Sequence, residues 1–335
     1  MTKIITDLAP EILAKVQNAK SILLHCHPSP DPDSVGSALA TKFALEQLGK
    51  KVTVIKGDND IPKNFDFPGI GSIMEKNYFE IDLNDYDLFI IQDSGAKEMV
   101  SAKGEIVFPE HLTTIVIDHH ASNKGYGNIN CIDSSYPATG QLLYDLFIAM
   151  GIKINHDIAI NLLTGIITDT GSFRYGANMA ETLGVAYELA KLAPDFPKVI
   201  STMENSNRKE SLVFEGLMLS SAKTFFDGKF AMASMTYDQI IENGFKNEDI
   251  FTGGIVNKLK SVIGTEVSAI LIEKEKGEVK ISLRSRNADK FDVAQLAVAL
   301  GGGGHRSAAG ARLKMDLPSA IDKLVNTVKE LYNIS

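Results

Sequence analysis

Three apolar runs in this sequence end in side chains that bind cations or move protons. Ile115-Val116-Ile117 stops at Asp118-His119-His120, and Ser21-Ile22-Leu23-Leu24-His25-Cys26 stops at His27, just ahead of Pro30-Asp31-Pro32-Asp33. Asp87-Leu88-Phe89-Ile90-Ile91-Gln92 stops at Asp93, and Thr168-Asp169-Thr170-Gly171 closes a helical pattern over about 156–168. Carboxylates and imidazoles without thiolates suit hard or borderline divalent cations such as Mn²⁺, Mg²⁺ or Co²⁺ better than a structural zinc. A shared carboxylate can hold two such ions about 3.5–4 Å apart, where they polarise a phosphoryl group and supply a nucleophile near neutral pH. Phosphate-ester hydrolysis is the chemistry this set implies.

These groups meet only if the runs that carry them are neighbours. Short β-branched runs bounded by turn residues read as buried strands, and polar groups just past their last apolar residue fall at the carboxyl ends, where open α/β sheets bind ligands. Between the first run and Val52-Thr53-Val54-Ile55, a helical pattern opens at Gly36-Ser37 and closes at Gly49, so a βαβ unit and a parallel sheet are expected. A short amphipathic helix over 8–20 precedes it, and helices are expected at about 138–150, 180–193 and 208–221, with Pro194 and Pro197 breaking the pattern between the last two. From about 222 the character changes to strands at 223–227, 229–236, 265–273 and 278–285 with helices at 251–261, 291–300 and 317–332. The fold class is therefore α/β: an N-terminal, mainly parallel sheet flanked by helices, a smaller C-terminal α/β domain, and a cleft between them. The domains are expected at 1–195 and 216–335, with 196–215 as the linker region.

A net charge of −8 argues against a broad footprint on duplex DNA, which wants a basic face. A small anionic substrate held by a few local cations is compatible with it, the more so because bound metals invert the sign of an acidic cleft. With no apolar run long enough to cross a membrane and no signal peptide at Met1-Thr2-Lys3, a cytoplasmic protein without a membrane partner is expected. Cys26 and Cys131 form no CxxC pair and read as buried thiols. Taken singly, Asp31 and Asp33 would be turn formers and helix caps, and His119-His120 an exposed loop. Three strand tips and a helix end that all carry Asp or His are not explained that way.

The sequence resembles the DHH phosphoesterase family, in the branch with a DHH-associated C-terminal domain. Its motifs read His27-Pro28-Ser29-Pro30-Asp31-Pro32-Asp33-Ser34-Val35-Gly36-Ser37, Gln92-Asp93-Ser94, Asp118-His119-His120, Thr168-Asp169-Thr170-Gly171 and Gly301-Gly302-Gly303-Gly304-His305, in family order and across nearly the whole chain. The resemblance implies that His27, Asp31 and Asp93 hold one metal while Asp33, Asp93, His119 and Asp169 hold a second, with Asp93 bridging. It implies that His120 faces the substrate phosphate and that Asp118 orients a histidine from behind. Pro32 departs from the Gly that relatives often carry, which stiffens the loop between two ligands and leaves both in place.

In the second domain Ile281-Ser282-Leu283-Arg284-Ser285-Arg286 alternates with both arginines on one face, suited to bidentate pairing with phosphate. Such a face standing alone would be ordinary exposed charge. Four successive glycines before His305 cost backbone entropy, and close approach to a ligand or an anion-binding concavity of N–H groups would explain them. His305 and Arg306 would then close on the far end of a nucleotide. The expectation is an enzyme with two divalent metals, Mn²⁺ first with Mg²⁺ or Co²⁺ as alternatives, acting on short single-stranded RNA or DNA or on a small nucleotide such as 3′-phosphoadenosine 5′-phosphate. Cyclic dinucleotides, pyrophosphate or polyphosphate, and a non-catalytic nucleotide sensor are the alternatives, and a homodimer is left open.

Overall fold

The computed structural model describes residues 1–250 and 252–334, the side chain of Glu248 excepted. It divides into two compact units, Met1–Ser206 and Asn207–Ser335. The first is built in the order α1 (Lys3–Asn18), β1 (Ser21–His25), α2 (Pro32–Gln47), β2 (Lys51–Ile55), β3 (Ile73–Met74), β4 (Leu88–Gln92), β5 (Thr113–Asp118), β6 (Ile129–Ile132), α3 (Thr139–Ala149), α4 (His156–Asp169), α5 (Met179–Leu192) and α6 (Phe196–Glu204). Its six strands run in the order β3-β2-β1-β4-β5-β6 and all pair in parallel. The order reverses between β1 and β4, so the crevice beyond their carboxyl ends is the topological switch point at which such sheets bind ligands.

Alternation along the strands decides which face meets what. Ile22 and Leu24 of β1, Leu88 and Ile90 of β4, and Ile115 and Ile117 of β5 pack with Ile5, Leu39, Leu142 and Leu162 of the helices α1 to α4. Leu23, Phe89, Ile91 and Val116 point the other way, into a smaller core closed by Tyr78 and Tyr86 from the segment before β4 and Val100, Ile106 and Leu112 from the segment after it. Both faces are thus dry, which is why these runs are continuously apolar rather than alternating.

The helix α1 starts five residues earlier than 8, because Pro10 sits inside it instead of near its start. The backbone bond that Pro10 forfeits belongs to Thr6, which is exposed, so water can satisfy the carbonyl. Pro197 does not break the chain after α5: it occupies the first turn of α6, where a missing N–H costs nothing.

The second unit comprises α7 (Lys209–Ser220), β7 (Lys223–Phe225), β8 (Phe230–Met235), α8 (Tyr237–Glu242), α9 (Gly253–Ser261), β9 (Val267–Glu275), β10 (Glu278–Ser285), α10 (Val293–Ala299), β11 (Gly303–His305), β12 (Ala308–Leu313) and α11 (Leu317–Tyr332). Its sheet runs β11-β12-β10-β9-β8-β7 and is antiparallel apart from the β8–β9 pair. Phe230, Leu271, Ile281 and Leu283 face Val293, Leu296 and Leu324 of α10 and α11, while Ala233, Ile270 and Ile272 face Phe214, Ile255 and Leu259 of α7 and α9. The hairpin of β11 and β12 was not legible in the sequence, since glycines and alanines carry no strand periodicity. Among the described residues no helix is long and apolar enough to cross a membrane.

Candidate active site

The tips of β1, β4 and β5, the first turn of α2 and the end of α4 bring together all eight of the acidic and imidazole groups singled out in the first unit. His27 Nε2 lies 3.2 Å from Asp31 Oδ2 and 3.7 Å from Asp93 Oδ2. On the other side, His119 Nε2 lies 3.6 Å from Asp93 Oδ1 and 3.3 Å from Asp169 Oδ2. The two oxygens of Asp93 therefore face different histidines. Two sets, His27 with Asp31 and Asp93, and Asp33 with His119 and Asp169, each offer ligand atoms within 4.8 Å of one another.

Each group is held by local structure. Asp31 caps α2, accepting the Ser34 N–H at 2.9 Å with one oxygen and leaving the other toward His27. Asp33 is fully buried and accepts the N–H groups of Thr139 (2.7 Å) and Gly140 (3.0 Å) at the start of α3, where the helix dipole favours an anion. The Thr139 hydroxyl donates to Asp93 Oδ1 at 3.0 Å. Asp93 itself takes a left-handed conformation (φ 51°), and its N–H donates to the Ile117 carbonyl at 3.1 Å. Such a conformation costs a non-glycine residue about 1–2 kcal/mol, and strain of this kind collects where a side chain must be aimed.

The Tyr136 carbonyl stands 3.3 Å from His119 Nδ1, an arrangement that puts the proton on Nδ1 and the lone pair of Nε2 toward the carboxylates. Burial is the main reason that the His119 pKa falls to about 4, so the ring is neutral, as a ligand must be. His120 is the opposite case. Its Nδ1 is 2.8 Å from Asp118, and that hydrogen bond raises its pKa, so it is the imidazole of the pair that takes a proton more readily. Asp118, fully buried, is fixed in turn by the Asn123 side-chain amide at 2.7 Å.

These groups fit divalent cations on three observations. The buried His119 Nε2 has no hydrogen-bond partner. Ligand atoms that each stand about 2.1 Å from one ion lie roughly 3.0–3.4 Å apart, a range that holds the His27–Asp31 and His119–Asp169 separations of 3.2 and 3.3 Å, with the two to Asp93 a little longer at 3.7 and 3.6 Å. Finally, burial and then neighbouring carboxylates push Asp33 up to about 7, Asp169 up to about 9 and Asp93 well above the ordinary range. So many carboxylates facing one another, balanced among the described residues by histidine alone, call for positive charge from outside the chain.

Close packing of α2 on α4 holds the cage. A Cβ on Gly165 would come 2.4 Å from Asp33 Oδ1 and 3.0 Å from its Cα. Gly165→Ala is expected to lower stability by about 1–3 kcal/mol through overpacking, despite the better helix propensity of alanine. Urea unfolding monitored by circular dichroism checks it, and an unchanged midpoint contradicts it.

Spacing pointed to the ligands but not to their supports. Thr139 looked like a helix start only, Ser94 stood only as part of the Gln92-Asp93-Ser94 motif, and Asn123 gave no signal. Ser94 Oγ lies 3.2 Å from Nε2 of His25, a buried imidazole whose pKa falls to about 3 chiefly through burial. In the second unit Arg284 is half-buried with Nη1 on the Leu283 carbonyl, while Arg286 donates to the carbonyls of Lys260 and Val262. Arg306 is exposed and paired with Asp289 and Asp292, each at 3.2 Å. The glycines before His305 divide by role. A Cβ on Gly302 would come 2.1 Å from the Gly310 carbonyl oxygen and one on Gly304 2.5 Å from Ala309 Cα, so these two let β11 approach β12. Gly303 has no positive φ, and a Cβ there would meet nothing within 4 Å among the described residues, so none of them requires a glycine at that position.

Residues 21–166 match the DHH family N-terminal domain and residues 227–333 the DHHA1 domain. The chain is 32% identical over 96% of its length to a protein of Thermus thermophilus named bifunctional oligoribonuclease and PAP phosphatase NrnA, covering 93% of that relative. A crystal structure of an exopolyphosphatase-related protein from Bacteroides fragilis matches with a TM-score of 0.90 at 26% identity, over 99% of both chains. RecJ of Thermus thermophilus in complex with Mn²⁺ shares the fold at a TM-score of 0.59 and 15% identity, over 99% of this chain and 55% of RecJ. The chain belongs to the DHH family, and it is a hydrolase acting on phosphate esters.

Proposed function

We propose that this protein is a two-metal phosphoesterase that hydrolyses short oligonucleotides and linear dinucleotides to mononucleotides, and 3′-phosphoadenosine 5′-phosphate to AMP. The observation that carries the reading is Asp93, whose two carboxylate oxygens face separate imidazole-carboxylate sets. His27, Asp31 and Asp93 would hold one divalent ion, and Asp33, Asp93, His119 and Asp169 the other, with Mn²⁺ the first candidate. When bound, the ions would supply a nucleophile at neutral pH and offset charge on the phosphoryl oxygens. The chain's own part is positional. Asp118 fixes His120 and favours its protonated form, in which Nε2–H would donate to a phosphoryl oxygen, an interaction that matters most as charge grows there. The Thr139 hydroxyl and the start of α3 hold Asp93 and Asp33 in place. The substrate class rests on the relative from Thermus thermophilus, whose name gives both activities.

Arg284, Arg286, His305 and the backbone at Gly302, Gly303 and Gly304 would bind the part of the substrate remote from the reacting phosphate. Arg284→Ala is expected to raise KM for a linear diadenylate about tenfold or more with kcat nearly unchanged, as loss of a charged hydrogen bond implies. An equal fall in kcat with KM unchanged contradicts that role.

The name of the Bacteroides fragilis structure keeps polyphosphate as a second reading. A panel of linear diadenylate, a pentanucleotide, 3′-phosphoadenosine 5′-phosphate, cyclic diadenylate and pyrophosphate, each with Mn²⁺ and Mg²⁺, decides between them. Turnover of pyrophosphate or polyphosphate in preference to every nucleotide would overturn the proposal.

A further inference from the structure

The helix α4 ends twice. Gly171 (φ 56°) terminates it in the usual way, with the Gly171 N–H on the Thr168 carbonyl and the Ser172 N–H on the Ile167 carbonyl. Ser172 and Phe173 then continue in the left-handed region at φ 60° and 62°, which the helix end does not require. For side chains other than glycine this is costly, and a fold keeps such strain where it positions something. The bend is pinned on buried Thr170, whose carbonyl accepts the N–H groups of Arg174 (2.8 Å) and Tyr175 (2.9 Å) and whose hydroxyl accepts that of Phe173 (2.9 Å). Phe173 packs against the main core, and Arg174 and Tyr175 are turned out to the surface.

This hook borders the metal cage at both ends. It leaves the chain two residues after Asp169, and the Tyr175 ring lies so close over Gly171 that a Cβ there would be 2.8 Å from it. At its far end Gly176 (φ 118°) leaves no room for a Cβ beside Pro137, which would be 2.6 Å away. Pro137 stands between Tyr136, which holds His119, and Thr139, which holds Asp93 and Asp33. Along the hook, the Arg174 guanidinium lies 5.7 Å from the centre of the Tyr175 ring. Among the described residues it makes no salt bridge.

Resting on the phosphoesterase reading above, we propose that Arg174 and Tyr175 form the subsite for the nucleotide whose phosphate enters the cage: Tyr175 stacks on its base and Arg174 pairs with its phosphate. A planar ring and an adjacent guanidinium are the pairing by which proteins hold single-stranded nucleotides without reading their sequence, since every base has a π-face. The subsite makes the enzyme prefer a nucleotide to the same phosphate without a base.

The test compares the native protein with Tyr175→Ala, Tyr175→Phe and Arg174→Ala. Affinity for AMP and for ribose 5-phosphate is measured by calorimetry, and kcat/KM is measured on linear diadenylate. The native protein should bind AMP more tightly than ribose 5-phosphate. Tyr175→Ala should weaken AMP binding and lower kcat/KM by about tenfold, within the range of base stacking on an aromatic side chain, and leave ribose 5-phosphate binding unchanged. Tyr175→Phe should behave like the native protein, and Arg174→Ala should weaken both ligands. Equal losses on both ligands in Tyr175→Ala, or none, would overturn the subsite while leaving the phosphoesterase reading intact. A native protein inert on every nucleotide would overturn both.

Discussion

Asp93→Asn is expected to reduce turnover of a linear dinucleotide by roughly 10³-fold or more, because several kcal/mol of charge stabilisation depend on the shared carboxylate. Asparagine is the informative replacement, since residue 93 sits at φ 51° and Asn adopts that conformation more readily than most side chains. The second half of the expectation has the opposite sign. Asp93 is only 2% exposed, and burial together with Asp33, Asp31 and Asp169 opposes its ionisation. Without that charge, the metal-free variant should melt no lower than the native protein in EDTA at pH 8. Steady-state kinetics with Mn²⁺ and a thermal melt in EDTA check the two halves. An inactive variant that melts several degrees lower would mean that the site had collapsed, and a fully active one that Asp93 holds nothing.

Removing divalent cations should destabilise the protein, and more so as the pH rises. Asp33, pushed to about 7, and Asp169, pushed to about 9, both carry folded-state values above the ordinary carboxylate value near 4. Between those limits these two carboxylates bind more protons in the folded metal-free chain than in the unfolded one, so their contribution to stability is fullest below the unfolded value and is lost as pH climbs toward the folded ones. Cations that replace the protons reverse the decline. At a hundred times Kd one bound ion contributes about 2.7 kcal/mol, or roughly 5–10 °C in a unit of some two hundred residues. Melts with EDTA and with MnCl₂ at pH 6 and pH 8.5 should therefore show the larger gap at pH 8.5. A gap that is equal at the two values, or larger at pH 6, contradicts this electrostatic account.

The ligands were legible because a buried parallel strand leaves a plain trace: an apolar run, then an abrupt polar residue. His27, Asp93 and His119 each follow such a run by a residue or two, and the parallel pairing of β1, β4 and β5 places their ends side by side. The supports were not legible, since Thr139 and Asn123 act through single hydrogen bonds from a helix start and a turn, and one hydroxyl or amide carries no periodicity. Nor was the hook after Asp169, because left-handed Ser172 and Phe173 run against residue preference. The four glycines before His305 marked an unusual backbone. Two of them serve strand contact, a constraint that comes from β12, a strand which its own Ala- and Gly-rich composition hid.

Crystals grown with MnCl₂ and measured at the manganese absorption edge test the central claim most directly. The account predicts two anomalous peaks about 3.5–4 Å apart, one beside His27 and Asp31, the other beside His119 and Asp169, with the Asp93 carboxylate between them. A single peak, or peaks that leave Asp93 without contact, would contradict it.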